Sequence, residues 1–293
     1  MASPLPNPSS SMPIPPRALI SPEKMSATLL VAGFLLLLAA ATANAHDAHV
    51  IFGYTGSNGP DKWGSLRPEF AKCSTGKFQS PININRSEAV GNSDLTSLVR
   101  DYSQTANASL VDLGFNVAVK WEEDAGVLTI DDKNYTLKSM HWHTPSEHTL
   151  DGMRFPVELH LVHESDDGSI SVVAILYAYG DADPFLEQFV EPFGRMANET
   201  CSEDEDVEIP VGQVKTRSMS RGTRKYYRYV GSLTTPPCTE NVIWNVLGKV
   251  RQLSKDQAKM IKSPLGMAYK NNSRPLQPLN GRKVQLYNEA FEF

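Results

Sequence analysis

The spacing of the histidines constrains the fold of this chain more than any other feature. His141 and His143 stand at i and i+2 in an apolar segment, and His160 follows in a second apolar segment, residues 158–163. Residues two apart on a β-strand point to the same face of a sheet. The pattern therefore predicts two neighbouring strands whose histidines project into one space on one face of the sheet.

Three neutral imidazoles leave the fourth position of a tetrahedral zinc ion open for water, which is the arrangement of a catalytic zinc site. The alternative is that each histidine is a buried structural residue of an apolar strand. Five of the seven histidines lie between His141 and His163, which favours the metal site. We predict one Zn²⁺ per chain, with three ligands: His141, His143 and His160.

Composition limits the class of protein. The chain has 293 residues, of which 41% are hydrophobic, so it can bury a full core. Its short apolar runs predict a single mainly β (α+β) domain. The net charge of −5 argues against a nucleic-acid partner. No phosphate-binding glycine loop and no HExxH metalloprotease motif is present.

The N-terminal 45 residues are predicted to lie outside the domain. Residues 1–24 are a Pro/Ser-rich extension, and residues 25–45 read as a signal peptide, with an apolar run followed by the small-x-small sequence Ala43-Asn44-Ala45. The alternative, an uncleaved anchor, requires a longer apolar run. We expect cleavage to leave a domain at 46–293 with no stable membrane span. The expected location is the secretory pathway, extracellular or apoplast, with the chloroplast as the alternative.

Short runs with strand character, separated by turn residues, dominate the rest of the chain. The predicted strands are residues 116–121, 127–130, 135–143, 158–163, 169–179, 226–229 and 242–247. Two helices are predicted as well. One follows Asp183-Pro184 and covers residues 185–196, and the other covers residues 254–261 with Ser254 as its cap.

Several sequence blocks carry a family resemblance. They read SMHWHTPSEH at 139–148, VELHLVHES at 157–165, YVGSLTTPPCTENVIW at 229–244, KFQSPINI at 77–84 and NSRPLQP at 272–278. In order and spacing they resemble the alpha-class carbonic anhydrases, in particular the secreted plant type. The similarity covers about residues 52–282.

The resemblance implies a fold and an activity. The expected fold is a large, mostly antiparallel twisted sheet with short peripheral helices and a zinc cleft. The expected reaction is the zinc-dependent, reversible hydration of carbon dioxide to bicarbonate and a proton. Thr234 and Glu147 match the pair that orients the reacting water, and Thr235 matches a residue lining the bicarbonate position. Five residues match the apolar wall of the carbon dioxide site: Val162, Val172, Leu233, Val242 and Trp244.

The residues expected around the metal and along the proton path match the family pattern only in part. Glu158 matches the acid that orients the His160 ring, whereas Ser139 stands where the family has a glutamine beside His141. Phe115 stands where the family has a proton-shuttling histidine. These two departures keep open a second function, a storage or binding protein on the same fold with weak or no activity, as in related tuber and nectar proteins.

The cysteines and the glycosylation sequences agree with secretion. The resemblance implies a disulfide between Cys73 and Cys238, which leaves Cys201 over. Asn-x-Ser/Thr acceptors predict a glycoprotein; they are Asn85, Asn107, Asn134, Asn198 and Asn271. Asn134 lies just before the histidine strand, and we expect it to be the most hindered.

Overall fold

A computed structural model describes residues 51–199, 207–220 and 222–291, all of which belong to one compact unit. The predicted N-terminal extension, the predicted signal peptide and Cys201 lie outside the described residues. No helix in these ranges is long and apolar enough to cross a membrane.

Sixteen strands are present in the described part of the chain. In chain order they are β1 (Asn83–Ile84), β2 (Val90–Gly91), β3 (Val99–Tyr102), β4 (Thr105–Asp112), β5 (Val117–Trp121), β6 (Gly126–Ile130), β7 (Lys133–His143), β8 (Thr149–Leu150), β9 (Met153–Arg154), β10 (Val157–Glu164), β11 (Ile170–Tyr179), β12 (Glu208–Lys215), β13 (Lys225–Ser232), β14 (Glu240–Leu247), β15 (Arg251–Leu253) and β16 (Gln285–Asn288).

Thirteen of these strands form one sheet, whose main path runs β12-β4-β5-β7-β10-β11-β14-β13-β16-β2. Within it β11 pairs in parallel with β14 and β15, and β16 with β2, while the other pairs are antiparallel. Strands β1, β8 and β9 form a separate small sheet. The predicted mainly β fold, with a large and mostly antiparallel sheet, is confirmed.

The helices are short. They are α1 (Trp63–Leu66), α2 (Lys72–Thr75), α3 (Val190–Glu199) and α4 (Lys255–Lys262), with 3-10 segments at Gly56–Asn58, Pro68–Phe70, Leu186–Phe189, Met267–Tyr269 and Glu289–Phe291. Helix α4 begins where predicted, because Ser254 and Gln257 form a reciprocal capping box. The first predicted helix is a 3-10 turn that continues as α3.

Strand β7 contributes side chains to the main core from one face and carries the two histidines on the other. Met140 and Trp142 are buried in the larger apolar core, where the Trp142 ring packs edge-on against Phe193 of α3, 5.6 Å between centroids. Because side chains alternate along a strand, this anchoring directs His141 and His143 to the opposite face. A register slip of one residue would exchange the two sets, so core packing fixes the orientation of the histidines.

The five sequon asparagines differ in accessibility. The side chains of Asn134, Asn198 and Asn271 are exposed, whereas those of Asn85 and Asn107 are half-buried. Asn134 is therefore not the most hindered, contrary to expectation, because its side chain points away from the sheet's buried faces. The Asn85 carboxamide accepts a hydrogen bond from the Ser87 hydroxyl of its own sequon, at 2.9 Å.

Candidate metal centre

The pairing of β7 with β10 brings the predicted metal ligands together. The two strands are antiparallel, with His160 directly opposite His141 and Glu158 opposite His143. The regular register ends in a bulge after Val162, beyond the histidines. The site is therefore built across one strand pair, as the spacing predicts.

One ring nitrogen from each of His141, His143 and His160 lies within 4.8 Å of the other two. Nδ1 of His160 and Nε2 of His141 lie 3.3 Å apart. Burial lowers the pKa of all three imidazoles, to about 4 for His143. The rings are thus held neutral, which is the form that binds a metal ion.

The tautomer of His143 is fixed by the chain segment that passes behind it. Its Nδ1 donates to the carbonyl oxygen of Asn272 at 2.7 Å, which places the lone pair on Nε2. That Nε2 atom is buried and has no hydrogen-bond partner among the residues that the structure describes. A buried ring nitrogen without a partner, facing two other imidazoles, fits a metal ligand.

His160 is oriented by Glu158. Its Nε2 donates to Oε1 of Glu158 at 2.9 Å, which leaves Nδ1 facing the other two rings. The other carboxylate oxygen accepts the main-chain N–H groups of Glu147 and His148, at 2.7 and 2.8 Å. Burial acts to raise the pKa of Glu158, but His148 and His160 outweigh burial, and the pKa lies well below its usual value. An anion that holds the ring of a ligand raises the basicity of that ligand.

In the part of the chain that the structure describes, no carboxylate orients the His141 ring in this way. Ser139 is half-buried, and it lies opposite Val162 on β10 and Lys120 on β5. Among the hydrogen bonds of the described residues, none joins the Ser139 hydroxyl to His141. The three nitrogens fit a zinc ion, but within the described ranges only the rings of His143 and His160 are oriented by a backbone or carboxylate acceptor.

We predict that Ser139→Gln tightens zinc binding, because a longer side chain can hold the free nitrogen of the His141 ring. Such orienting partners change metal affinity by about 10–100-fold. Competition with a chromogenic chelator measures the zinc dissociation constant. Ser139→Ala is the control and should bind zinc like the wild type; an equal gain in both variants would contradict the explanation.

Glu147 and Thr234, called the gate below, meet beside the metal site. Glu147 is fully buried, and its Oε1 accepts the main-chain N–H of Arg274 at 2.9 Å. Burial raises the pKa of Glu147 to about 7, while His160, the Thr234 hydroxyl and the Arg274 amide lower it. Oε2 is buried without a hydrogen-bond partner among the described residues, and the Thr234 hydroxyl lies close enough to the carboxylate to lower its pKa.

The predicted apolar wall is assembled. Four of its residues are buried in one cluster, and Leu233 packs against them. The Trp244 ring lies 4.8 Å, centroid to centroid, from the His160 ring, and its N–H donates to the carbonyl of Ser232 at 3.0 Å. Thr235 is half-buried at the start of the turn that leads to Cys238. An apolar surface therefore borders the three histidines directly.

Phe115 belongs to an aromatic cluster close to the metal centre. It is half-buried, and its ring packs on Phe52 with 4.8 Å between centroids. Its carbonyl accepts the side-chain amide of Asn272 at 3.3 Å, and Asn272 in turn holds His143. Phe115 is therefore linked through Asn272 to the predicted ligand His143, but its phenyl side chain cannot carry a proton.

The disulfide between Cys73 and Cys238 is formed, with 5.0 Å between the Cα atoms. It joins α2 to the residues 233–239, called the threonine loop below. Within this loop Cys238 N donates to Thr235 O, and Leu233 N donates to Thr239 O, both at 2.9 Å. The cross-link therefore anchors the loop that carries Thr234.

We predict that reducing this disulfide lowers activity before zinc is lost, because the gate lies on the tethered loop and the ligands do not. The bond closes a loop with a sequence separation of 165. The lost chain constraint corresponds to at most about 4–5 kcal/mol of unfolding free energy. Denaturant titration, zinc content and activity should be followed during reduction. Peptide mapping that finds Cys201 joined to either cysteine would contradict the pairing.

The sequence did not reveal the roles of the residues that hold the metal ligands and the two acids, Glu147 and Glu158, in place. Asn272 and Arg274 belong to a recognised block, but their roles depend on contacts with residues about 130 positions earlier. The sequence also gave no role to His148, which links Glu158 to the Tyr229 hydroxyl through bonds of 2.6 Å at each ring nitrogen.

Three convergent imidazoles on a β-sheet lie beside a buried acid–threonine pair and an apolar wall, an arrangement that can hold one metal ion. The model of the eukaryotic-type carbonic anhydrase family matches residues 58–288. The chain belongs to the alpha carbonic anhydrase family, whose members use zinc.

The relatives and the solved structures agree with this assignment. Alpha carbonic anhydrase 7 of Arabidopsis thaliana is 42% identical over 78% of this chain and 81% of its own length. Dioscorin complexed with ascorbate has a TM-score of 0.77 at 39% identity, over 81% of this chain and 98% of that one. The alpha carbonic anhydrase of Thermovibrio ammonificans, complexed with sulfanilamide, has a TM-score of 0.71 at 35% identity, over 82% and 99%.

Proposed function

We propose that the chain catalyses the reversible hydration of carbon dioxide to bicarbonate and a proton, with one zinc ion held by His141, His143 and His160. The observation that supports this most directly is the gate, because a buried acid facing a threonine hydroxyl beside three convergent imidazoles serves no evident packing purpose. When bound, zinc acidifies a coordinated water, a chemistry for which carbonic anhydrases are the standard example.

The residues around the metal orient the reacting water and accommodate carbon dioxide and bicarbonate. Ionised Glu147 can only accept hydrogen bonds, so the Thr234 hydroxyl must donate to it. Thr234 is then left as an acceptor for the reacting water, which fixes the direction of the attacking lone pair. Carbon dioxide is apolar and suits the wall beside the histidines, and we assign to Thr235 the lining of the position of the more polar bicarbonate.

Stopped-flow carbon dioxide hydration by the purified mature chain, with zinc measured on the same sample, tests this proposal. About one zinc per chain with rapid hydration supports it. Stoichiometric zinc without hydration would instead favour the second candidate, a binding or storage protein on this fold. That candidate is motivated by Ser139, Phe115 and the similarity to dioscorin, which binds ascorbate in its solved structure.

We predict that proton release limits turnover in the wild type, and that Phe115→His relieves this limit. A positioned proton-transfer group contributes about 10²–10⁴-fold, so kcat in dilute buffer should rise by about tenfold or more. Small buffers such as imidazole should raise the wild-type kcat in a saturable way and the variant much less, while kcat/KM changes little.

Phe78→His is the control, because Phe78 is exposed and packs on Arg282 rather than in the aromatic cluster of Phe115. It should keep the wild-type response to buffer. Fast wild-type turnover in dilute buffer, with no buffer effect, would show that another proton acceptor exists.

We further propose that residues 25–45 direct the chain into the secretory pathway and that the mature domain is 46–293. The Cys73–Cys238 disulfide supports this, because such bonds persist in oxidising compartments. N-terminal sequencing of protein from plant cells tests the cleavage after Ala45. A mature protein in the chloroplast with intact residues 25–45 would contradict it.

A further inference from the structure

Arg274 contacts the gate through its main chain. Its N–H donates to Oε1 of Glu147 at 2.9 Å, and its side chain is buried, with 1% of its surface exposed. A buried cation is costly unless its donors are satisfied. The placement of this main-chain N–H therefore depends on what holds the guanidinium.

The guanidinium binds three acceptors on the segment 73–80. Nη2 donates to the carbonyl of Cys73 at 2.9 Å, and Nη1 donates to Oε1 of Gln79 at 2.9 Å and to the carbonyl of Ser80 at 2.8 Å. It also lies 5.6 Å from the centroid of the Trp63 ring. Lysine cannot reproduce this planar arrangement of donors.

The same segment holds the threonine loop. Gln79 donates through Nε2 to the carbonyl of Cys238 at 3.1 Å, and Cys73 is bonded to Cys238 by the disulfide. One arginine thus contacts Glu147 through its main chain and the segment that restrains Thr234 through its side chain. Glu147 and Thr234 lie 87 residues apart in sequence (234 − 147). Arg274 contacts the first directly and supports the second through the segment 73–80.

We propose that Arg274 is a positioning residue that sets the separation of Thr234 and Glu147. The proposal rests on the proposed function, since it assigns the gate's geometry a role in hydration. Arg274 touches none of the three metal ligands through any hydrogen bond found among the described residues. Its loss should therefore disturb the gate and leave the metal in place.

Arg274→Lys and Arg274→Ala test this. Misplacement of catalytic groups by about 1 Å can cost about 10²-fold, so kcat/KM should fall by about that factor while zinc remains near one per chain. The fall in kcat should be smaller, because proton release limits it. Methylguanidinium should restore part of kcat/KM in Arg274→Ala, and Arg274→Lys remains informative if the alanine variant does not fold.

Arg228→Lys is the matched control. Arg228 is also buried, but its guanidinium bonds to Asn245 and Asp131, away from the gate. It should lower thermal stability without lowering kcat/KM. A similar loss of kcat/KM in both lysine variants would show that Arg274 acts only through general stability, and would overturn the proposal.

A double-mutant cycle with Glu147→Gln tests the route of action. If Arg274 acts through Glu147, then Arg274→Lys should cost little more once Glu147 is replaced. Equal costs in both backgrounds, or loss of zinc in Arg274→Lys, would also overturn it.

A readout without zinc separates this proposal from the proposed function. In the metal-free protein, dithiothreitol should reduce the Cys73–Cys238 bond several-fold faster in Arg274→Lys than in Arg228→Lys, because the Cys73 carbonyl and Gln79 are released. If the wild type binds zinc but does not hydrate carbon dioxide, the proposed function fails while this difference persists. Equal reduction rates in the two lysine variants would show that Arg274 does not support the threonine loop, and would overturn the proposal.

Discussion

His143→Ala should reduce zinc from about one ion per chain to a trace, because two imidazoles cannot complete a site that needs three protein ligands. The change also removes the contact that ties the ring to Asn272. Carbon dioxide hydration should fall to the background rate. Metal analysis of the dialysed protein and stopped-flow kinetics measure the two effects.

His163→Gln is the matched control for this prediction. His163 lies on β10 as His160 does, but its ring bonds to the Tyr102 hydroxyl at 2.7 Å within the core. It should lower stability by about 1–3 kcal/mol, the cost of disturbing a buried hydrogen bond, and keep zinc. Full zinc occupancy in His143→Ala would remove His143 from the ligand set.

Thr234→Val should lower kcat/KM by about 10²–10³-fold, the usual cost of losing one group that orients the reacting atoms. Valine keeps the shape of threonine, so the loop should retain its structure and zinc should stay bound. The reason for the loss is that valine can neither donate to Glu147 nor accept from the reacting water. Hydration kinetics at fixed zinc content measure the effect.

Thr239→Val tests whether the loop itself is sensitive. Thr239 is exposed in the same loop, and its main-chain carbonyl holds Leu233. Its kcat/KM should match that of the wild type. If Thr234→Val stayed within threefold of the wild type while Glu147→Gln was inactive, the acid would act without the threonine, and the gate as described would be wrong.

Local patterns were sufficient to predict the central part of the fold. The i, i+2 spacing of His141 and His143 predicted their common face, because side-chain alternation is a property of any strand. Ser254 predicted the start of α4 because a cap acts on the amides that follow it directly. Both signals are complete within a few residues, so a single sequence reveals them.

Features that depend on distant contacts could not be predicted in this way. Strands β4 and β12 pair along the sheet edge, yet Pro210 and the positive φ of Gly212 interrupt the pattern of β12. The roles of Asn272 and Arg274 exist only once their segment lies behind the cleft. A polar residue in a turn-rich segment carries no local sign of the carboxylate or imidazole it will meet.

The register of β7 and β10 restricts how descendants of this chain can change over evolutionary time. Substitutions at the metal site can be tried singly, but a residue inserted or deleted in β10 just after His160 can turn His160 and Glu158 together toward the core. One such event removes a ligand together with the acid that orients the same ligand, and no single substitution restores both. Length changes should therefore be absent from β7 and β10 and accumulate instead at exposed turns such as residues 151–152, between β8 and β9.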